Sequence, residues 1–516
     1  MKKFVTKTVS SLAVLAAMTA AQVEAKEVKT INMAYGSANA GSLDPHFSTK
    51  SQDKNIFGMM FNGLVRFKPG DTNPANIEAD LSESWTSSPD GLVWTFKLRK
   101  GVQFHAGFGE MTAEDVVYSL NRAKDPKTSA VASDYKSFKE VKALDPYTVE
   151  ITLNNPVPSL LGLVANYHGG NVVSKKADME GDFKTHPVGT GPFAFVEFKS
   201  KQYVKLAAHK DYFRGAPQVD EIVYSYVPVN TSRELAFKKG TLDAFSGTRE
   251  ERWVNRMSRN KNINIAVFSP GELRTLHLNT KSGPLADVRV RRAIAHAIDR
   301  TAITQIIGNS VTRPNTSVIP VGYLGHTQKV PQYEHDLDKA KALLSEAGYA
   351  DGVTLEIIIT KNEALLKPMQ IVQAQLAKAN INLVMNVVEH PAFHAQIRKD
   401  LSPMVLYGAA RFPVADTYLT QFYESKSTVG APTGVTNFSH CDVADDEIQK
   451  ARVETDQQKQ LDYWKTAQIK ISENVCSVPL FEQMQVWGIS QDIDFGYEFN
   501  GSVSLGPMFN ELTTKK

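Results

Sequence analysis

Apolar and polar positions alternate with a period of two over residues 92–98. Val93, Thr95 and Lys97 fall on one face and Trp94, Phe96 and Leu98 on the other, which predicts a half-buried strand. A polar segment around Trp85 and the turn Ser88-Pro89-Asp90-Gly91 precede it. A second turn at Lys100-Gly101, a short strand closed by Phe104 and His105, and a glycine-rich loop over 106–110 lead on to a helix. Thr112 can cap that helix, Glu114 and Asp115 suit its first turn, and Val116, Val117 and Leu120 supply its buried stripe. The same reading gives a strand at 31–35, a helix over 55–65, a hairpin of 140–144 with 148–153, one strand over 195–208, a strand at 222–227, a helix over 233–240 and a strand from 241. In the second half it gives a strand at 276–280 and a helix over 284–300, where Val290, Ala293, Ile294, Ala297 and Ile298 keep i, i+3, i+4 spacing. A helix over 338–348 follows, then strand 353–360, helix 365–379, strand 381–388, a strand from 404, a helix over 445–473 interrupted near Thr455-Asp456, and a strand at 476–487. Alternating β and α units argue an α/β architecture, and 516 residues argue more than one core.

Composition adds an address. Lys2, Lys3 and Lys7 precede a short apolar run over 9–19, and Val23-Glu24-Ala25 offers a small-residue cleavage site before Lys26. That is the pattern of a secretory signal peptide, so residues 1–25 are expected to be removed. Their removal takes three lysines and one glutamate, and the net charge of +3 falls to +1. A near-neutral chain gives no electrostatic case for nucleic acid. Two cysteines, Cys441 and Cys476, are too few for a disulfide scaffold. An exported address permits one bond between them; two small buried thiols are the alternative.

No catalytic constellation is visible: no H-E-x-x-H, no G-x-S-x-G and no phosphate-binding loop. His390 and His394 stand at i, i+4 with Pro391 between them and no glutamate completing a zinc motif, so they read as structural. His105 reads as packing or hydrogen-bonding locally. A secreted hydrolase is therefore a distant alternative, no metal or cofactor is expected, and the chain is not expected to be an enzyme.

The word order of residues 79–123 (ADLSESW…TAEDVVYSLNRA), the turn Gly189-Thr190-Gly191-Pro192-Phe193, the block Asp211-Tyr212-Phe213-Arg214-Gly215-Ala216-Pro217 and the helix 284–300 occur in this order. Together they resemble the family 5 extracytoplasmic solute-binding proteins of ABC importers, the dipeptide, oligopeptide and nickel-binding group. The resemblance implies a two-lobe α/β periplasmic binding-protein fold of class II, with an extra subdomain in lobe I, an interlobe ligand cleft and a hinge. Lobe I would be 26–275 completed by 489–516, lobe II 276–488, and the hinge segments near 274–280 and 483–488. It implies a periplasmic monomer that captures a peptide-like or anionic, carboxylate-bearing small ligand and delivers it to a permease and ATPase complex at the inner membrane. A nickel-chelate or opine-metallophore binder is the alternative within the family, and a folding helper or sensory receptor on the same scaffold a third reading.

Ligand candidates follow from the same resemblance. In dipeptide- and oligopeptide-binding relatives an acidic loop residue pairs with the ligand's α-ammonium, and alignment on Asp416-Thr417-Tyr418 puts Arg411 at that place. A guanidinium repels an ammonium and suits a carboxylate, unless Arg411 instead pairs with Asp416 or another internal acid. Arg274 is a second anion candidate. Tyr35 and Ser37 end the first strand facing the expected cleft, although a plain turn accounts for them equally. Phe412, Tyr418, Tyr167 and Trp487 are candidate pocket walls, with plain core as the alternative for each.

Overall fold

In the computed structural model, residues 28–48, 50–157, 159–430 and 436–516 are described, and the expected leader and cleavage site lie outside them. Strand β1 (Thr30–Tyr35) buries Ile31, Met33 and Ala34 in the middle of a nine-stranded mixed sheet. Helix α1 (Ser51–Met60) follows. Strands β2 (Ser82–Ser87) and β3 (Val93–Leu98), helix α2 (Ala113–Lys124), and strands β4 (Phe138–Asp145) and β5 (Thr148–Leu153) come next. These four strands form a separate antiparallel sheet in the order β2-β3-β5-β4, with α2 packed on β4. The polar segment around Trp85 is the edge strand β2: its residues are polar because this edge faces solvent, and pairing with β3 holds it extended. Helix α2 starts with a capping box in which Thr112 and Asp115 satisfy each other's backbone.

Strands β6 (Phe193–Lys199), β7 (Tyr203–Ala208), β8 (Glu221–Tyr226) and β9 (Ala244–Ser246) return to the main sheet. The single strand expected over 195–208 is thus a hairpin. Its turn carries no glycine, proline or asparagine, and Lys201 supplies the positive φ of 62°. Strand β10 (Ile263–Leu278) is far longer than the strand expected at 276–280, since Pro270 and Gly271 interrupt its pattern at a register shift. Helix α3 (Val288–Ala297) ends before Asp299, which caps helix α4 (Arg300–Ile307), so the helix expected over 284–300 is two helices with a bend between them. Strands β11 (Thr312–Pro314) and β12 (Val353–Thr360), helix α5 (Glu363–Ala377), strand β13 (Ile381–Val388), helix α6 (His390–Arg398), strand β14 (Met404–Ala409), helices α7 (Ala415–Tyr423), α8 (Asp445–Val453) and α9 (Gln457–Glu473), and strand β15 (Ser477–Ser490) complete the second half.

The main sheet runs β14-β10-β15-β9-β1-β8-β7-β6, with β11 also on β15. Its two long strands, β10 and β15, pair with each other. Residues Ile263 to Phe268 of β10 pair with Ser490 to Gln485 of β15; pairing resumes from Glu272 opposite Gln483. On the first stretch β15 has β9 beside it, with Phe245 opposite Gly488. On the second it has β11, and β10 gains β14 with Leu276 opposite Leu406. Both strands therefore change neighbours between 268 and 272 and between 483 and 487. The C-terminal tail packs back on the first half: Lys515 Nζ donates to Thr30 O at 2.7 Å, and Asn55 Nδ2 to Pro507 O at 2.8 Å.

Cys441 and Cys476 are joined by a disulfide, Cα to Cα 5.8 Å, tying the loop before α8 to the start of β15. They lie 35 positions apart, and closing a loop of that length removes unfolded-chain entropy worth about 4 kcal/mol. The double variant Cys441→Ser/Cys476→Ser is expected to lose about 2–4 kcal/mol of stability, seen as a lower guanidinium midpoint that reductant reproduces in the wild type. An unmoved midpoint would contradict this.

Candidate functional site

Strands β1, β8 and β9 run parallel, and their carboxyl ends open on one side of the sheet. Loops at the carboxyl ends of parallel strands are the usual place for ligand groups in α/β proteins. Here the loop after β9 supplies Gly247, Thr248 and Arg249 to one wall of a cavity of about 1430 Å³. The opposite wall carries Tyr407 and Gly408 of β14, Leu365 and Pro368 of α5, and His390 and His394 of α6. Glu272 and Arg274, two positions apart on β10, and Gln483 of β15 also line it, where the long strands cross.

Two cations share one anion there. Arg249 Nη1 lies 3.1 Å from Glu272 Oε1, and Arg274 Nη2 lies 2.8 Å from Glu272 Oε2. Gln483 Oε1 accepts from Arg274 Nη2 at 2.6 Å and from Nε at 3.2 Å. Burial opposes charge on Glu272, but the two guanidiniums prevail and hold its carboxyl down at about 2. The trio keeps an excess of one positive charge beside the cavity. Arg274 runs across Gly408 so closely that a Cβ there would lie 1.7 Å from Nη1, so only glycine leaves the guanidinium its place.

A second cluster forms around the loop after β14. Lys54 Nζ donates to Tyr167 Oη at 3.2 Å; burial, then Arg411 nearby, pushes its ammonium down to about 7. Arg411 Nε donates to Gln421 Oε1 at 2.7 Å and its guanidinium lies over the Phe422 ring at 5.4 Å. Asp416 faces Arg452 at 3.6 Å, so the internal partner considered for Arg411 is engaged elsewhere. Phe412 inserts between Phe67 and Tyr167, ring centroids at 5.5 and 6.0 Å, directly over Gly162.

Of the eight ligand candidates, Arg274 lines the large cavity. Arg411, Phe412 and Tyr167 share the second cluster. Tyr418 Oη donates to Ala409 O, and Trp487 Nε1 to Leu505 O at 3.3 Å, so their polar ends are spent on backbone. Tyr35 packs on Trp487 at 5.8 Å and feels the charges of Arg249 and Glu272; the Ser37 hydroxyl is buried without a hydrogen-bond partner. Sequence reasoning passed over Arg249, Glu272, Tyr407 and Gln483. The period of two on β10 already puts Glu272 on the face of Arg274, and Arg249 stands at a strand's carboxyl end.

His46, His105 and His277 are buried in the fold. Gly189 N donates to His105 Nδ1 at 3.3 Å and His105 Nε2 donates to Gly191 O at 2.9 Å, pinning the Gly-Thr-Gly-Pro turn. Burial holds His105 and His277 at about 3; burial, then Arg122, holds His46 at about 4. All three are neutral in the folded state while the unfolded chain takes up protons below about 6.5. Stability is therefore fully present above pH 6.5 and falls as pH drops toward these folded values, by up to about 1.4 kcal/mol per pH unit for each histidine. Urea midpoints between pH 7.5 and 4.5 are expected to show this slope, and His277→Leu to flatten it by one proton. Equal slopes in the two proteins would contradict the assignment.

The family model described as "Bacterial extracellular solute-binding proteins, family 5 Middle" matches residues 76–429. The binding protein MoaA from A. tumefaciens R10, solved in complex with mannopinic acid, superposes with a TM-score of 0.86 at 44% identity, covering 95% of this chain and 100% of its own. The binding protein DppA from Helicobacter pylori, solved in complex with the peptide STSA, gives a TM-score of 0.81 at 28% identity, covering 94% and 98%. Heme-binding protein A of Haemophilus influenzae is 29% identical over 393 residues, 70% of this chain and 71% of its own.

Proposed function

Because the chain belongs to the bacterial extracellular solute-binding proteins of family 5, we propose that it captures a carboxylate-bearing small solute between its lobes for an ABC importer. The observation that carries this reading is the Arg249-Glu272-Arg274 trio beside the cleft, in which Arg274 is buried. One carboxylate cannot neutralise two guanidiniums, and a solute carboxylate supplies the missing charge through an Arg fork. The 44% identity with MoaA, solved with mannopinic acid, supports an organic acid of that kind over a zwitterionic peptide.

Lobe I is taken as 26–275 with 489–516, and lobe II as 276–488. The hinge is taken near 274–280 and 483–488, and the exchange of strand neighbours at 268–272 and 483–487 supports a hinge in this part of the two long strands. Solute contacting both walls favours the closed state, because only that state meets it from both sides. Closure then presents the protein to a permease whose ATPase supplies the energy, and the binding protein performs no catalysis. Export through a cleaved signal peptide and action as a periplasmic monomer complete the reading.

Native mass spectrometry of protein purified from its own periplasm tests it. An acidic small molecule co-purifying at one per chain, released on denaturation, is the expected result. A neutral or cationic peptide in its place would overturn the solute class.

A further inference from the structure

The C-terminal tail closes a second, smaller cavity of about 50 Å³ against the first half of the chain. It shares no lining residue with the cleft. The rings of Phe67, Tyr212, Tyr497 and Phe499 line it. Tyr212 Oη accepts from Asn62 Nδ2 at 3.3 Å and Tyr497 Oη donates to Met508 O, so both hydroxyls are engaged within the fold and the rings serve as walls. Glu511 lines the same cavity. Its side chain is 7% exposed, and its Oε2 is buried with no hydrogen-bond partner among the described residues.

The charges around this cavity do not balance. Arg66 Nε pairs with Glu78 Oε1 at 2.8 Å, while its Nη1 stays 3.8 Å from Glu511 Oε1, too far for a hydrogen bond. Arg214 Nη2 pairs with Asp80 Oδ1 at 3.1 Å. Two guanidiniums therefore serve three carboxylates, Glu78, Asp80 and Glu511, and one negative charge is left over. Lys68 and Asp71, which also line the cavity, offset each other. The surplus falls on Glu511, the carboxylate with the weakest partner. A buried carboxylate oxygen that lacks a donor is costly, and a cationic N–H relieves that cost.

We propose that this cavity is a second binding site, separate from the cleft, for a small primary ammonium ion. The ion donates an N–H to Glu511 Oε2, and its positive charge rests among the aromatic walls, where ring faces attract cations. Size limits the occupant. One water needs about 10–15 Å³ of such space, so the cavity takes an ion the size of methylammonium and excludes a whole amino acid. Tetramethylammonium fails twice, since it is larger and has no N–H to donate.

Equilibrium dialysis of the mature protein against radiolabelled methylammonium tests the proposal. Uptake of one ion per chain is expected, undiminished by an excess of tetramethylammonium and at least tenfold weaker in Glu511→Gln. Thermal unfolding without amine shows whether that variant is folded. In the wild type, methylammonium chloride is expected to raise the unfolding midpoint above that in equimolar tetramethylammonium chloride, because a ligand that binds only the folded state stabilises it. No uptake by the wild type, displacement by tetramethylammonium, or equal uptake in folded Glu511→Gln would overturn the proposal. Arg274→Ala is expected to take up methylammonium as the wild type does, so failure here is distinct from failure of the carboxylate reading.

Discussion

Arg274→Ala is expected to weaken binding of the acidic solute that co-purifies with the wild type at least 100-fold in calorimetry, about 3 kcal/mol, within the cost of truncating one partner of a buried charge pair. The variant removes the trio's excess positive charge and leaves Arg249 and Glu272 neutralising each other. Two controls separate charge from fork. Arg274→Lys keeps the charge but not the bidentate geometry, and is expected to fall between wild type and alanine. Glu272→Gln removes the competing anion and is expected to bind the acid at least as well as the wild type. Thermal unfolding run alongside shows whether each variant is folded. Equal affinity in wild type and Arg274→Ala would place the anion anchor elsewhere, with Arg411 next in line.

Arg122→Ala is expected to lose about 3–5 kcal/mol of stability in urea unfolding, the cost of breaking a buried ion pair. Arg122 on α2 grips the fully buried Asp44 through both terminal nitrogens and Asp178 through Nε at 2.6 Å, and its Nη1 lies 2.9 Å from His46 Nδ1. It thereby ties the loop after β1 to the subdomain helix. Removing it strands two carboxylates, one of them without water. Arg122→Met combined with Asp44→Leu and Asp178→Leu is expected to regain part of the loss, since the penalty lies in unpaired charge. A stability unchanged in Arg122→Ala would show that the network contributes nothing net.

The sequence carried its regular elements well where period and punctuation agree. Strands 353–360 and 381–388 have the bounds that alternation indicates. Misreadings came where tertiary pairing overrides local signal: the glycine-free turn at Lys201, and β10 running straight through Pro270-Gly271; the polar segment at Ser82–Ser87 gave no signal of the edge strand it forms. The site was legible only in part. Arg274 could be singled out as a cation beside a strand, but its geometry depends on Glu272, Arg249 and Gln483, which come together through three separate strands or loops. Arg411 was placed by alignment, and in the structure it is held within its own loop by Gln421 and Phe422. No one-dimensional pattern shows that His390 and His394 turn toward a cavity.

The central claim is that an acidic solute is held between two lobes and closes them. Small-angle X-ray scattering of the mature protein, titrated with the acid that co-purifies with it and separately with a neutral dipeptide, tests it most directly. The account predicts a saturable decrease in radius of gyration with the acid, absent with the dipeptide and absent for the acid in Arg274→Ala. Compaction driven by the dipeptide alone, or none with either, would contradict it.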